Sequence, residues 1–183
     1  MTQSFDPTQA QPTTPDVTAQ TNQVLAVATL TRRMTGGASN FFWIAALSVI
    51  NSVLAIVGSN TRFVIGLGIT QFVDAVAQFA GQDVPQAKTI ITIVAILIDL
   101  VAVGIFALLG YFARKGRRWA FITGLVLYAL DTLLMLLFQD WLGLGFHIFF
   151  LIGLFNGLRA LNQLQKMITP KPASDFPQNI GVP

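Results

Sequence analysis

The sequence has no cysteine, which excludes disulfide bonds, thiolate chemistry and thiolate metal sites. All its acidic residues are aspartates, and His147 is its one histidine. A catalytic cysteine–histidine pair and a metal or haem site with several histidines from one chain are therefore excluded. The nucleophile motif Gly-x-Ser-x-Gly of many hydrolases is also missing. We expect no metal, no cofactor and no enzymatic activity, and an intramembrane enzyme is the weakest functional hypothesis.

Charged residues are scarce. They make up 10% of the chain, against roughly 25% in soluble domains, whereas 54% of the 183 residues are hydrophobic and the mean hydropathy is +0.65. A chain with so little charge cannot cover a surface that faces water, and the composition therefore predicts an integral membrane protein. The pI of about 9.7 does not indicate a nucleic-acid partner, because most basic residues flank hydrophobic segments, as membrane topology requires.

Four apolar runs are long enough to cross a hydrocarbon core of ~30 Å, which takes about 20 residues in a helix. None of the eight prolines interrupts them, so we expect helices without proline kinks. This pattern predicts an all-α fold: a polytopic, antiparallel bundle of four transmembrane helices. The predicted spans are 41–58, 89–113, 119–138 and 142–161.

A fifth stretch, 63–82, has a different pattern. Gln71, Asp74, Gln78 and Gln82 fall on one narrow arc of a helical wheel. We predict an amphipathic helix that lies at the outer face of the membrane, because a carboxylate and three amides are costly in lipid. The alternative is a bundle of five spans, in which the polar stripe faces other helices.

The two ends of the chain are polar. We predict a disordered N-terminal tail over 1–40, apart from a short surface helix that VLAVATLTRRM could form, then a membrane domain over 41–166 and a Pro-rich tail over 167–183. Positive residues favour the cytoplasmic side. That rule places the C-terminus in the cytoplasm and, for four spans, the N-terminus too, in a protein of the cell membrane. It also makes one basic loop cytoplasmic: Arg114, Lys115, Arg117 and Arg118.

Polar residues inside the predicted spans fall at similar depths. The short connections between successive spans put Asp99 and Asp131 at nearly the same level, with His147 close to it. Asn51 on the first span lies about 10 Å from its outer end, a similar depth. Tyr128, one turn before Asp131, is a candidate hydrogen-bond donor to it. Because ionised carboxylates avoid lipid, we predict that these side chains face the interior of the bundle.

This polar cluster has two interpretations. In the first, its members form hydrogen bonds between helices and specify the packing, at about 0.6 kcal/mol for an average contact. The protein is then a non-enzymatic accessory or interaction subunit. In the second, Asp99 and Asp131 carry protons or cations, with His147 as a relay, in a small transporter or channel component.

Small residues predict where helices approach closely. Ser48 and Ser52 share one face of the first span, and Gly153 and Gly157 form a GxxxG motif in the last. We expect the GxxxG motif to pack within the chain, with a homodimer as the alternative. The expected partners are the lipid bilayer and another membrane protein or a second copy of the chain. The basic loop is either a lipid-headgroup anchor or only a determinant of topology.

Overall fold

A computed structural model describes residues 17–57, 67–83, 87–137 and 139–169. Within these ranges the chain is all-helical, with five helices and no strand. Four of the helices are long and apolar enough to cross a membrane, and α2, at 16 residues, is the short one. The helices are α1 (Val17–Ile56), α2 (Gly68–Asp83), α3 (Lys88–Arg114), α4 (Arg118–Leu137) and α5 (Trp141–Ile168).

The last three helices follow the apolar runs closely. Helices α3 and α4 begin and end within one residue of the predicted spans 89–113 and 119–138. Helix α5 begins one residue before the predicted position and continues past residue 161 to Ile168. The predicted C-terminal tail therefore starts as helix, and its residues from 170 onward lie outside the described ranges.

The predicted disordered tail over 1–40 is wrong for residues 17–40, which form the first half of α1. The physical reason is tertiary. Met34 and Ala38 belong to the same buried core as Leu154 and Leu161 of α5, so this part of the helix has a surface to pack against, and the exposed residues 17–25 continue the same helix. The polar composition of the segment predicts disorder, because composition carries no information about this contact with α5. Residues 1–16 lie outside the described part of the chain.

Aromatic rings fill the core between α1, α3 and α4. Phe41 is completely buried, and its ring centroid lies 6.2 Å from that of Phe106 and 6.0 Å from that of Phe121. Gly124 makes room for this ring, because a Cβ there would strike it, whereas a Cβ on Gly110 would strike the Cβ of Phe41 and the ring of Phe42. Phe41 and Phe42 of α1 thus occupy the space that these two glycines leave on the neighbouring helices.

The basic loop is a tight turn between α3 and α4. Gly116 has a φ of 73°, and the amide of Arg117 donates to the carbonyl of Phe112 at 3.1 Å, the usual pattern of a glycine-terminated helix. Arg114 donates to Ser39 Oγ at 2.9 Å and lies over the ring of Phe42. This end of α3 is therefore fixed to the middle of α1.

The GxxxG motif packs within the chain, against a glycine of α1. A Cβ on Gly37 would lie 2.5 Å from the Cα of Gly157, and one on Gly153 would strike the amide of Asn40. Backbone meets backbone at this point, which is the close approach that small residues permit. Ser48 and Ser52, predicted as packing residues, use their hydroxyl groups in hydrogen bonds to other helices or to the residue before α2.

The contact between α1 and α5 predicts a difference between two adjacent glycines. Alanine favours a helix over glycine by about 1 kcal/mol at either site. At Gly37 the new methyl would overlap backbone atoms, at a typical cost of ~1–3 kcal/mol. We expect Gly37→Ala to lower the unfolding temperature of the purified protein in detergent, measured by circular dichroism.

Gly36→Ala is the matched control, because nothing lies within 4 Å of the added Cβ. It should unfold at the wild-type temperature or slightly above it. Equal unfolding temperatures for the two variants would contradict the Gly37–Gly157 contact.

Candidate functional site

The first turn of α2 is buried inside the protein. Leu67 and Thr70 are at most 1% exposed, and a Cβ on Gly68 would strike Met135 of α4. The first amides of any helix lack partners within that helix, so a buried start needs acceptors from elsewhere. Ser48 of α1 supplies one, since its Oγ accepts from the amide of Leu67 at 2.6 Å.

Asp131 supplies the next acceptors. Its Oδ2 accepts from the amide of Gly68 and its Oδ1 from the amide of Ile69, both at 2.8 Å. The carboxylate of α4 thus caps the N-terminus of α2, where the helix carries a partial positive charge that favours an anion. This contact accounts for a carboxylate within an apolar helix: it is buried, 5% exposed, and has specific partners.

His147 of α5 completes the site. Its Nδ1 lies 2.8 Å from the carbonyl oxygen of Gly143, and its Nε2 lies 3.0 Å from Asp131 Oδ2. A carbonyl only accepts, so Nδ1 carries a hydrogen. The Nε2–Oδ2 hydrogen bond then requires one more proton, on either atom, and in both cases the pair has no net charge. His147 is fully buried, and this neutrality limits the cost of burial.

Tyr128 contributes its ring to this site. The ring stacks on that of His147, with centroids 4.9 Å apart and planes at 11°. Its hydroxyl group is buried and has no hydrogen-bond partner among the described residues. The predicted hydrogen bond from Tyr128 to Asp131 is therefore wrong: Tyr128 contributes its ring, and the partners of Asp131 are two amides of α2 and the imidazole of His147.

Asp99 belongs to a second polar site. Its Oδ2 accepts from Ser52 Oγ at 2.8 Å, and its side chain is also hydrogen-bonded to that of Asp74 on α2. The other oxygen, Oδ1, is buried and lacks a donor within the described part of the chain. Ionised carboxylates only accept, so a hydrogen bond between Asp74 and Asp99 requires a proton on one of them.

The predicted polar residues are therefore divided between two centres. Asp131, His147 and Tyr128 come together, whereas Asp99 bonds to α1 and α2. Asn51 is buried beside Ser52. Sequence reasoning missed the amides at the start of α2 and the role of Asp74 as partner of Asp99. The polar stripe that includes Asp74 was the available signal.

An apolar cleft of about 490 Å³ lies beside Asp131, between α3, α4 and the start of α2. Asp131 contributes the one polar side chain among the residues that line it. Both of its oxygens already accept hydrogen bonds. The cleft therefore offers a ligand an apolar wall and little opportunity for polar recognition.

Comparisons with known protein families, with curated proteins and with solved structures find no match in any of the three. Over the described ranges, no group of three or more histidine and acidic side chains is arranged to hold a metal ion.

The two carboxylates should respond differently to the same substitution. Asp131→Asn replaces an accepting oxygen with an NH₂ donor that faces backbone N–H groups or His147. We expect it to destabilise the fold by roughly 1–3 kcal/mol, the cost of a buried group without a partner. Thermal unfolding in detergent, followed by circular dichroism, measures this loss.

Asp99→Asn is the matched control. Its amide oxygen can still accept from Ser52, and its NH₂ would replace the oxygen that has no donor. We expect no loss of stability for this variant. A greater loss from Asp99→Asn than from Asp131→Asn would contradict the assignment of Asp131 as the cap of α2.

Proposed function

We propose that the chain is a multi-pass protein of the cell membrane whose four long helices cross the bilayer in alternating directions. Large apolar side chains are exposed along these helices, and a surface of this kind does not face water in a soluble monomer. The basic loop and both ends of the chain then lie in the cytoplasm. Examples of the exposed side chains are Leu97, Leu100, Leu108, Leu130, Leu133 and Phe149.

In this proposal α2 does not lie flat at the outer face, as its sequence predicts, because its start is buried against Asp131. It enters the bundle from the outer side and does not cross it. With 16 residues it is about 24 Å long, shorter than a hydrocarbon core of ~30 Å. Its start is bonded to Asp131, and near its end Gly81 lies against the side chain of Lys88, the first residue of α3. A short helix that starts inside the bundle and ends beside the start of α3 supports four membrane spans over five.

The activity we propose is that of a non-enzymatic accessory or interaction subunit. The observation that supports it is that both carboxylate oxygens of Asp131 are occupied by hydrogen bonds within the chain. Its two oxygens bind two amides of α2 and one imidazole, so this buried carboxylate stabilises structure and is not free to act on a substrate. A polar group committed in this way specifies which helices pack together.

The N-terminal part of α1 offers a surface for a partner. Every residue from 17 to 25 is exposed, and Val17 and Val24 are 73% and 67% exposed. Residues seven apart lie on the same face of a helix, and Leu25 extends the apolar surface. We propose that a helix of another membrane protein, or of a second copy, packs here.

A single-cysteine variant tests membrane placement and interaction together, since the natural chain has no cysteine. In Val24→Cys we expect a membrane-impermeant maleimide to label the thiol from the cytoplasmic side only. A photoreactive maleimide at the same site should yield a cross-linked product in intact membranes. A product of twice the 19.9 kDa chain mass would identify a second copy as the partner.

Ala38→Cys is the control, because Ala38 is fully buried and should neither be labelled nor cross-link. Labelling of Val24→Cys from the outside would favour the five-span topology. Cytoplasmic labelling without any cross-linked product would contradict the interaction surface.

A proton- or cation-linked role is the second candidate, and it rests on Asp99 more than on Asp131. Asp99 has a buried oxygen without a donor among the described residues and a second carboxyl, Asp74, as its partner. Such a pair can hold or release one proton. Ser52 would keep the carboxyl of Asp99 in place during that exchange.

Reconstituted vesicles distinguish the two candidates. A potassium diffusion potential is imposed on vesicles that contain the purified protein, and a trapped pH-sensitive dye measures their internal pH. We expect protons to enter these vesicles no faster than they enter protein-free vesicles. A flux above that of empty vesicles that is lost in Asp99→Asn would contradict the accessory role and support the second candidate. Folded content is checked by circular dichroism in both proteins.

A further inference from the structure

A polar cleft of about 590 Å³ lies between α1 and α5, away from both polar centres described above. Two arginines and three amides line it: Arg33 and Asn40 from α1, and Asn156, Arg159 and Gln163 from α5. The two guanidinium groups bring ten N–H donors to one hollow. The cleft therefore has the composition of a site for an oxyanion.

Glycines create the space for this cleft. The contact of Gly37 with Gly157 brings the two helix backbones together. Immediately beside it, Gly36 has no atom within 4 Å of the place where a Cβ would stand. The helices thus meet at one point and leave a hollow next to it, and the long polar side chains stand around that hollow.

No negative charge balances the arginines. No acidic residue lines the cleft, and Arg33 and Arg159 form no ion pair within the described ranges, where the one pair recorded joins His147 and Asp131. Arginine binds phosphate through a planar fork of donors. Two unpaired guanidinium groups on facing helices favour a phosphate over a carboxylate, because a phosphate offers more oxygens to both.

The position of the cleft suggests where that phosphate comes from, given the membrane placement proposed above. Asn40 follows Ser39, which bonds to Arg114 at the basic loop. Arg33 lies about 10 Å farther along α1, on the side away from the apolar spans. The cleft therefore covers the level at which the cytoplasmic ends of the helices meet lipid headgroups.

An apolar surface continues from the cleft towards the membrane interior. Phe149 and Ile152 are 66% and 55% exposed, and they share a face of α5 with Asn156, at spacings of seven and four residues. A molecule with its phosphate in the cleft could lay an acyl chain along this face. A free phosphate ion would gain nothing from it.

We propose that this cleft binds the phosphate group of an anionic phospholipid from the cytoplasmic leaflet. The proposal rests on the membrane placement given under the proposed function. Arg33 and Arg159 bind the phosphate oxygens, and Asn40, Asn156 and Gln163 bind the polar part of the headgroup. The acyl chains lie against Phe149 and Ile152.

The test is a lipid titration of the full chain in detergent, read by native mass spectrometry, with phosphatidylglycerol, phosphatidylcholine and inorganic phosphate as probes. We expect phosphatidylglycerol to bind more tightly than phosphatidylcholine. Arg33→Gln with Arg159→Gln should weaken phosphatidylglycerol binding about tenfold or more, because two charge-assisted hydrogen-bond sites are lost. Lysine at both positions should lose less, since it keeps the charge without the fork.

The matched control is Arg32→Gln with Lys166→Gln, which removes the same charge from two exposed residues outside the cleft. The affinity of this double variant for phosphatidylglycerol should remain within about twofold of the wild-type affinity, because exposed surface charges contribute little. An equal loss in both double variants, or no loss in the cleft variant with a wild-type circular dichroism spectrum, would overturn the proposal. So would binding of inorganic phosphate that displaces the lipid at equal concentration.

Failure of the cleft is distinguishable from failure of the membrane placement. Lipid binding in detergent reports on the cleft, whereas maleimide labelling of Val24→Cys reports on topology. Outside labelling would remove the cytoplasmic leaflet as the source of the lipid, even if binding in detergent is retained.

Discussion

The carboxylate of Asp131 joins three helices at one point. It belongs to α4, caps the first two amides of α2 and bonds to the imidazole of α5. A bare carboxylate in hydrocarbon costs at least ~3 kcal/mol, and the buried start of a helix without acceptors is also costly. The amides of α2 give the carboxylate its donors, and the carboxylate gives those amides their acceptors, so one contact offsets both costs. The stacked ring of Tyr128 then connects this polar centre to the aromatic core.

The short helix α2 depends on these hydrogen bonds to Asp131. In a protein embedded in lipid, a helix that starts inside the bundle must find acceptors for its first amides among other side chains, because no water is available. Ser48 and Asp131 provide those acceptors from two different helices. The second acidic site, where Asp99 meets Ser52 and Asp74, then fixes the side of α2 that faces α3.

At the end of the molecule that includes the basic loop, glycines set the packing of α1 against α5, and arginines supply the positive charge. Gly37 and Gly157 set the closest approach of α1 and α5, and the polar cleft lies immediately beside that contact. Arg114 donates to a neutral hydroxyl and lies over an aromatic ring, so its positive charge is not cancelled by a carboxylate. Basic groups that stay uncompensated are available to anionic lipid, which is consistent with the proposed placement of this end at the cytoplasmic surface.

The sequence by itself determined the class of fold and three of the helices. Long apolar runs without proline have few alternatives to a helix, and α3 and α4 therefore match the prediction to within one residue. Burial of the polar groups also followed from sequence, since apolar helices cannot present a carboxylate to lipid without a large cost. Asp99, Asp131 and His147 are indeed at most 5% exposed.

Only the tertiary structure decided which polar groups meet. Depth along a helix can be read from residue number, but rotation about the helix axis and the choice of neighbour depend on packing. Asp99 therefore pairs with Ser52 and Asp74, although its level matched that of Asp131. The first half of α1 follows the same rule. Residues 17–40 are too polar to predict an ordered helix, but Met34 and Ala38 are buried in a core that α1 shares with α5, and Gly37 meets Gly157. The exposed residues 17–25 extend the helix that this packing fixes.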